Sequence, residues 1–102
     1  MEYRSLGRTG IKVSIIGLGM EYLQTNVTRE TVIAVVHKAI EHGMNYFDLL
    51  ASSPEVMDNF GSAFKGHRDR IVLAGHLGIA ETNGQYRKSR DLAECEDLFY
   101  DL

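Results

Sequence analysis

The chain has 102 residues, of which 44% are hydrophobic and 25% charged, and a net charge of −3, values typical of one small soluble domain. Both signs of charge are spread along the sequence without a basic cluster on any helix face, so the composition does not favour a nucleic-acid partner. A single cysteine, the lack of a signal-peptide core and the lack of any apolar run near the ~20 residues of a membrane helix predict a cytoplasmic protein with no membrane partner.

The first elements in chain order are a predicted hairpin and a strand. Tyr3–Leu6 and Lys12–Val13 flank the turn Gly7–Gly10, which has a glycine at each end. The β-rich run Ser14–Leu18 follows, and it is predicted to be a buried strand that ends at Gly19.

Two helices and a second strand are predicted next. Thr28 can cap a helix whose apolar residues recur at helical spacing and which Gly43 ends. Met44–Leu50 is the second apolar strand. Pro54 can occupy the first position of a second helix, which ends before Gly66.

The last third of the chain predicts one more strand and one more helix. Ile71–Ala74 is the strand, and Glu81–Ser89 is interpreted as a long polar loop. A helix is predicted over Asp91–Leu102, and Cys95 lies on its apolar face, where core packing is expected. This helix runs to Leu102 with no stop signal.

Strands that alternate with helices imply an α/β fold with parallel pairing and right-handed crossovers. Three such units alone would leave open sheet edges and uncovered apolar faces. We therefore expect residues 1–102 to form a single partial domain, a hairpin plus about three βα units.

The glycines of Gly17-Leu18-Gly19 suggest a dinucleotide-binding fingerprint. That fingerprint needs a third glycine, and Tyr22 stands at its position, so the fingerprint fails. Two interpretations remain open: the glycines let the chain leave a buried strand tightly, or they contact a cofactor.

Asp48 is the sharpest candidate site residue. It lies in the apolar strand, where an ionised carboxylate is costly unless it has a partner. His76 follows the third strand, so both side chains would converge on one edge of a parallel sheet. A site role competes with structural roles, since Asp48 could cap the next loop and His76 could be a hydrogen-bonded loop histidine.

The remaining histidines give no metal site. His37, His42 and His67 fall on helices or in loops, and they are predicted to be surface residues. The chain has no His/Cys cluster with metal-ligand spacing, so no metal is predicted.

Several segments resemble the aldo-keto reductase superfamily. Leu6–Gly19 is similar to the family's N-terminus, and Gly43–Asp48 resembles the second strand, which ends in the catalytic aspartate. Phe60-Gly61 and Arg68–Ala74 fall at the expected spacing, so the match covers most of residues 3–78. The resemblance implies the N-terminal third of a (β/α)8 TIM barrel, preceded by a small hairpin. It also implies a parent that reduces a small carbonyl substrate.

The resemblance further implies an altered catalytic set. The family uses Asp, Tyr, Lys and His, and these positions hold Asp48, Ser53 and His76, with the family's histidine beyond Leu102. A serine hydroxyl is a far poorer proton donor than a phenol. Proton donation could therefore pass to Tyr22 or His76.

Cofactor expectations come from the same resemblance. The parent would use NADP or NAD, and the residues here that could touch its nicotinamide end are Gly19, Met20, Glu21, Tyr22 and Asp48. Most phosphate contacts in the family come from later strands, so no cofactor is expected to bind this chain tightly.

Four segments resemble a divergent branch of the superfamily, namely Glu21–Leu23, Asp58–Gly61, Gly75–Gly78 and Asn83–Arg87. Members of that branch often carry a ferredoxin-like iron–sulfur segment after the barrel. The resemblance thus allows an iron–sulfur cluster in the parent, outside this chain.

Two functional hypotheses follow. In one, the chain is the N-terminal piece of an oxidoreductase barrel and is inactive alone. In the other, it is a stand-alone truncated barrel, a non-catalytic module that self-associates or binds a partner. Either way, the chain is expected to self-associate or to pair with the missing part of the barrel.

Overall fold

The computed structural model describes residues 1–24, 26–50, 53–82 and 85–100. The N-terminal hairpin is confirmed: β1 (Tyr3–Ser5) pairs antiparallel with β2 (Lys12–Ser14). The Tyr3 hydroxyl donates to the carbonyl oxygen of Gly43 at 2.7 Å, so the hairpin is attached to the chain that leaves the first helix.

The predicted strand Ser14–Leu18 is wrong in its extent. Ser14 ends β2, the chain bends through Ile15 and Ile16, which are exposed, and β3 spans only Leu18–Gly19. The Ser14 hydroxyl donates to the Ile16 carbonyl at 2.7 Å, a local bond that turns the backbone away from an extended path.

Asn45 fixes this bend against the sheet. Its side-chain oxygen accepts from the Ser14 N–H at 2.7 Å, and its amide nitrogen donates to the Lys12 carbonyl at 2.9 Å. The Asn45 N–H donates in turn to the Ser14 hydroxyl at 3.1 Å. These bonds place the start of β3 beside the second strand of the main sheet.

The two central helices begin as predicted. α1 spans Arg29–Glu41, and the Thr28 hydroxyl accepts from the Thr31 N–H at 3.2 Å, which confirms the cap. Gly43 ends this segment with φ of 85°, the left-handed conformation that favours glycine. α2 spans Pro54–Phe64, with its proline in the first turn.

The main sheet is parallel, as predicted, and open. Its order is β3, then β4 (Tyr46–Leu49), then β5 (Val72–Gly75). In register, Gly19 lies opposite Asp48. Asp48 in turn lies opposite Ala74.

The core lies between one face of this sheet and the two helices. The Phe47 and Phe64 rings meet edge to face, with centroids 5.1 Å apart. Leu18, Phe47 and Leu73 share one register level and all join this core. The fully packed apolar residues are Met20, Val32, Val36, Phe47, Leu49, Phe60, Ala63, Phe64 and Ile71.

The predicted polar loop Glu81–Ser89 is wrong. The chain forms a second antiparallel hairpin there, from β6 (Ile79–Thr82) and β7 (Gln85–Lys88). Every side chain of β7 is exposed, so the strand lacks the alternation of apolar and polar residues that would have indicated it. Asn83 and Gly84, between the strands, lie outside the described residues.

The last helix, α3, spans Leu92–Tyr100. The predicted core packing of Cys95 is wrong, because no residue of α3 is buried and Leu92, on the same face, is 84% exposed. The half-buried Cys95 thiol lies 3.8 Å from the Ser89 carbonyl. Leu102, which the prediction included, lies outside the described residues.

Two of the three histidines predicted at the surface are half-buried. His37 donates from Nε2 to the Ala63 carbonyl at 3.0 Å, and its ring meets that of His67 with centroids 4.9 Å apart. They lie together because α1 packs on α2. His42 is exposed, as predicted.

An ion pair between Arg87 of β7 and Glu94 of α3 should make this region acid-sensitive. Hydrogen bonds from Arg87 and then Ser89 lower the pKa of Glu94 from 4.5 to about 2. Because the folded value is the lower one, the stabilisation is complete above pH 4.5 and is lost as the pH falls towards 2. Hydrogen exchange at several pH values should show β7 loosening in that range, and Glu94→Gln should abolish the acid step. An identical step in the variant would exclude this ion pair as its cause.

Among the described residues, no helix is long and apolar enough to cross a membrane.

Candidate functional site

The candidate site lies where the three parallel strands end. Gly19 ends β3, Asp48 lies in β4 opposite Gly19, and His76 follows β5 directly. Because parallel strands present their carboxyl ends at one edge of the sheet, three separate segments of sequence meet there.

Asp48 and His76 form a direct pair. His76 Nε2 lies 2.9 Å from Asp48 Oδ1. An ionised carboxylate only accepts hydrogen bonds, so Nε2 carries the proton of this pair. The side chains are 47% exposed for Asp48 and 39% for His76, which leaves both within reach of a ligand. The pair combines an oriented imidazole with a fixed negative charge, an arrangement that can hold and deliver a proton.

A cleft of about 340 Å³ surrounds this pair. The loop after β3 also lines the cleft, through a short 3-10 turn over Glu21–Leu23. Tyr22 on this turn is 89% exposed. The residues lining the cleft are Gly19, Met20, Glu21, Tyr22, Asp48, Leu50 and His76.

Met20 connects the cleft to the hydrophobic core. Its side chain is fully buried in the core, and its N–H donates to the Asp48 carbonyl at 3.0 Å. Met20 therefore joins the loop after β3 to β4.

Ser53 lies apart from the other candidates. It precedes α2, and its carbonyl accepts from the Met57 N–H at 3.1 Å. In the part of the chain that the structure describes, Ser53 is not among the residues that line the cleft. Ala51 and Ser52, which join it to β4, lie outside that part.

Leu50 is the cleft residue that sequence reasoning missed. It lies two positions after Asp48 and directly after β4, so continued alternation of the strand would place it on the face of Asp48. That alternation was the available signal.

The cleft suits the uncharged end of a nicotinamide nucleotide better than its phosphates. Asp48 and Glu21 offer acceptors for an amide, and Gly19 leaves open space above the backbone. No arginine or lysine is among the described lining residues, so no cation there would pair with a phosphate. Within those ranges, no group of three or more His, Cys, Asp or Glu residues could hold a metal ion.

Solved structures with the same fold are aldo-keto reductase barrels. A Pseudomonas aeruginosa protein assigned to the aldo-keto reductases matches with a TM-score of 0.84 at 22% identity, over 97% of this chain and 39% of its own. The holo form of an aldo-keto reductase from Bacillus halodurans matches with a TM-score of 0.82 at 26% identity, over 99% of this chain and 35% of its own. The open parallel sheet with a cleft at its carboxyl edge is thus one part of a (β/α)8 barrel.

Sequence comparison agrees with the fold. L-galactose dehydrogenase of Arabidopsis thaliana is 30% identical over 98 residues, which cover 91% of this chain and 30% of that protein. No family model matches the chain. The chain belongs to the aldo-keto reductase superfamily, and it spans between 30% and 39% of the length of these relatives.

Proposed function

We propose that this chain is the proton-handling part of an NAD(P)H-dependent oxidoreductase that reduces a small carbonyl compound. The Asp48–His76 pair supports the proposal. His76 Nε2 lies 2.9 Å from Asp48 Oδ1, and both residues line a cleft at the carboxyl edge of the sheet. In a barrel of this kind, that edge is where chemistry takes place.

In proton transfer, His76 is the donor and Asp48 stabilises its charged form. Carbonyl reduction adds a hydride to carbon and a proton to oxygen, and the product is an alcohol. The nicotinamide, when bound, supplies the hydride. Asp48 holds His76 through Nε2 and stabilises the imidazolium, so that Nδ1–H can donate the proton to the substrate oxygen.

Tyr22 is the alternative donor. Tyr22 lines the same cleft and its side chain is exposed, so its phenol is accessible to a ligand. Ser53, at the family's tyrosine position, does not join that lining, so we assign it no proton transfer. We therefore propose that the catalytic set is altered relative to the family.

Replacing His76 with glutamine should separate these donors. We expect kcat of the whole protein to fall about 100-fold, because a general acid contributes roughly 100- to 10,000-fold. Tyr22→Phe should reduce kcat less than 10-fold by the same measure. The assay is carbonyl-dependent oxidation of the reduced nicotinamide. The reverse order would make Tyr22 the donor, and two unaffected variants would remove the proton-transfer role of this cleft.

The cofactor of the whole protein is proposed to be NADP or NAD. Its phosphates would find their cations outside this cleft, so the chain alone should bind it weakly or not at all. An iron–sulfur cluster finds no support in the comparisons, and Cys95 is the chain's sole cysteine.

A binding role is the second candidate, and the uncovered sheet face favours it. Tyr46, Val72 and Ala74 lie on the face opposite the core and are only half-buried, whereas parallel sheets are normally covered on both faces. We propose that the rest of the barrel or a second copy of the chain covers this face. We also propose that the protein is cytoplasmic. Light scattering should show a defined complex or oligomer, and a monomer at all concentrations would oppose this role.

A further inference from the structure

The hairpin β6–β7 is hydrogen-bonded to the residue that follows the Glu21–Leu23 turn of the cleft. It begins at Ile79, three positions after His76, so it is rooted at the edge of the site. The Tyr86 hydroxyl of β7 donates to Gln24 Oε1 at 2.5 Å. Gln24 directly follows the 3-10 turn that carries Tyr22. A bond between residues 62 positions apart therefore joins the hairpin that follows His76 to the end of the turn that carries Tyr22.

The other side of the hairpin is held independently of this bond. At its base, the Ser89 N–H donates to the Gly78 carbonyl at 2.8 Å. Gly78 has φ of 74°, and a Cβ there would lie 2.6 Å from the Ser89 oxygen, so the approach is close. Arg87, next to Tyr86, pairs with Glu94 of α3. The hairpin is thus held by contacts that do not involve Tyr86, and Tyr86 is its hydrogen bond to the loop.

The hydrogen bonding of the Gln24 side chain depends on this contact with Tyr86. Its side-chain nitrogen is buried and has no hydrogen-bond partner among the described residues. Tyr86 is the partner of its oxygen. If the Tyr86 hydroxyl were removed, the amide would lose that partner while its nitrogen stayed unsatisfied, which favours a shift of the loop towards water.

We infer that Tyr86 and Gln24 are positioning residues that hold the Glu21–Leu23 turn, and with it Tyr22, against the cleft. The inference rests on the proposed function for its chemical meaning, since the cleft is the site proposed above. Its structural content is separate: the hairpin sets where Tyr22 stands relative to the Asp48–His76 pair.

Hydrogen exchange and fluorine NMR on the 102-residue chain test this inference. In Tyr86→Phe, amide exchange over 21–24 should rise about two- to tenfold, as expected for the loss of one hydrogen bond. The Tyr22 resonance of the 3-fluorotyrosine-labelled chain, assigned with Tyr22→Phe, should shift or broaden. Tyr3→Phe is the matched control, because it also removes a tyrosine hydroxyl bond, to Gly43, but away from the cleft.

Gln24 supplies the second pair of variants. Gln24→Glu keeps an acceptor for Tyr86 and should keep the protection, whereas Gln24→Met should match Tyr86→Phe and add nothing to it in the double variant. Unchanged exchange over 21–24 in Tyr86→Phe, or a rise equal to that in Tyr3→Phe, overturns the inference. Neither readout needs a cofactor or turnover, so a failed carbonyl-reduction assay would leave this result standing.

Discussion

Replacing Asp48 with asparagine is expected to lower kcat/KM for carbonyl reduction by the whole protein about 100-fold or more. Asparagine keeps the size of the side chain and an acceptor for His76, but it removes the negative charge that stabilises the imidazolium. Stability should change by less than about 1 kcal/mol, because the pair is half-exposed and such pairs contribute little.

The control is Asp58→Asn, which neutralises an exposed carboxylate on α2 outside the cleft lining. It should leave both kcat/KM and the free energy of unfolding unchanged. If Asp48→Asn lost stability and activity in equal measure, Asp48 would be a structural carboxylate, and its catalytic role would be withdrawn.

Phe47→Ala should produce the largest change in stability. Phe47 is fully buried in the central strand β4 and packs edge to face on Phe64. Its removal should cost about 3–5 kcal/mol, the range for a large buried ring. The free energy of unfolding of a small domain is about 5–15 kcal/mol, so the variant would lose a large part of it. Urea unfolding followed by circular dichroism measures the change.

Phe99→Ala is the matched control for that experiment. Phe99 lies on α3 and is exposed, so the same substitution there should cost less than about 1 kcal/mol. Equal losses in the two variants would mean that β4 is not the centre of the core. Phe47 also precedes Asp48, so packing at this strand and the placement of the carboxylate depend on the same element.

The sequence predicted those elements whose signals are local. Thr28 and Gly43 mark the ends of α1 because a cap and a left-handed glycine act within one turn of the helix. The parallel order of the main sheet followed from the alternation of strands and helices. Asp48 and His76 meet because both lie at the carboxyl ends of neighbouring strands in that parallel sheet.

Other features depend on contacts between distant residues. The β-branched pair Ile15 and Ile16 favoured a strand, but hydrogen bonds from Ser14 and Asn45 bend the chain there. Strand β7 has no alternation of apolar and polar residues to reveal it, since it is exposed throughout. The contact of Tyr86 with Gln24 spans 62 positions and leaves no local pattern at either residue.

The proposed carbonyl reduction by the whole protein is tested by the stoichiometry of its products. Purified protein is incubated with NADH or NADPH and small aldehydes and ketones, and both the oxidised nicotinamide and the alcohol are quantified. We predict that alcohol and oxidised nicotinamide form in equal amounts and that both depend on the carbonyl compound. Nicotinamide oxidation without alcohol, or no carbonyl-dependent oxidation with any substrate, would contradict it.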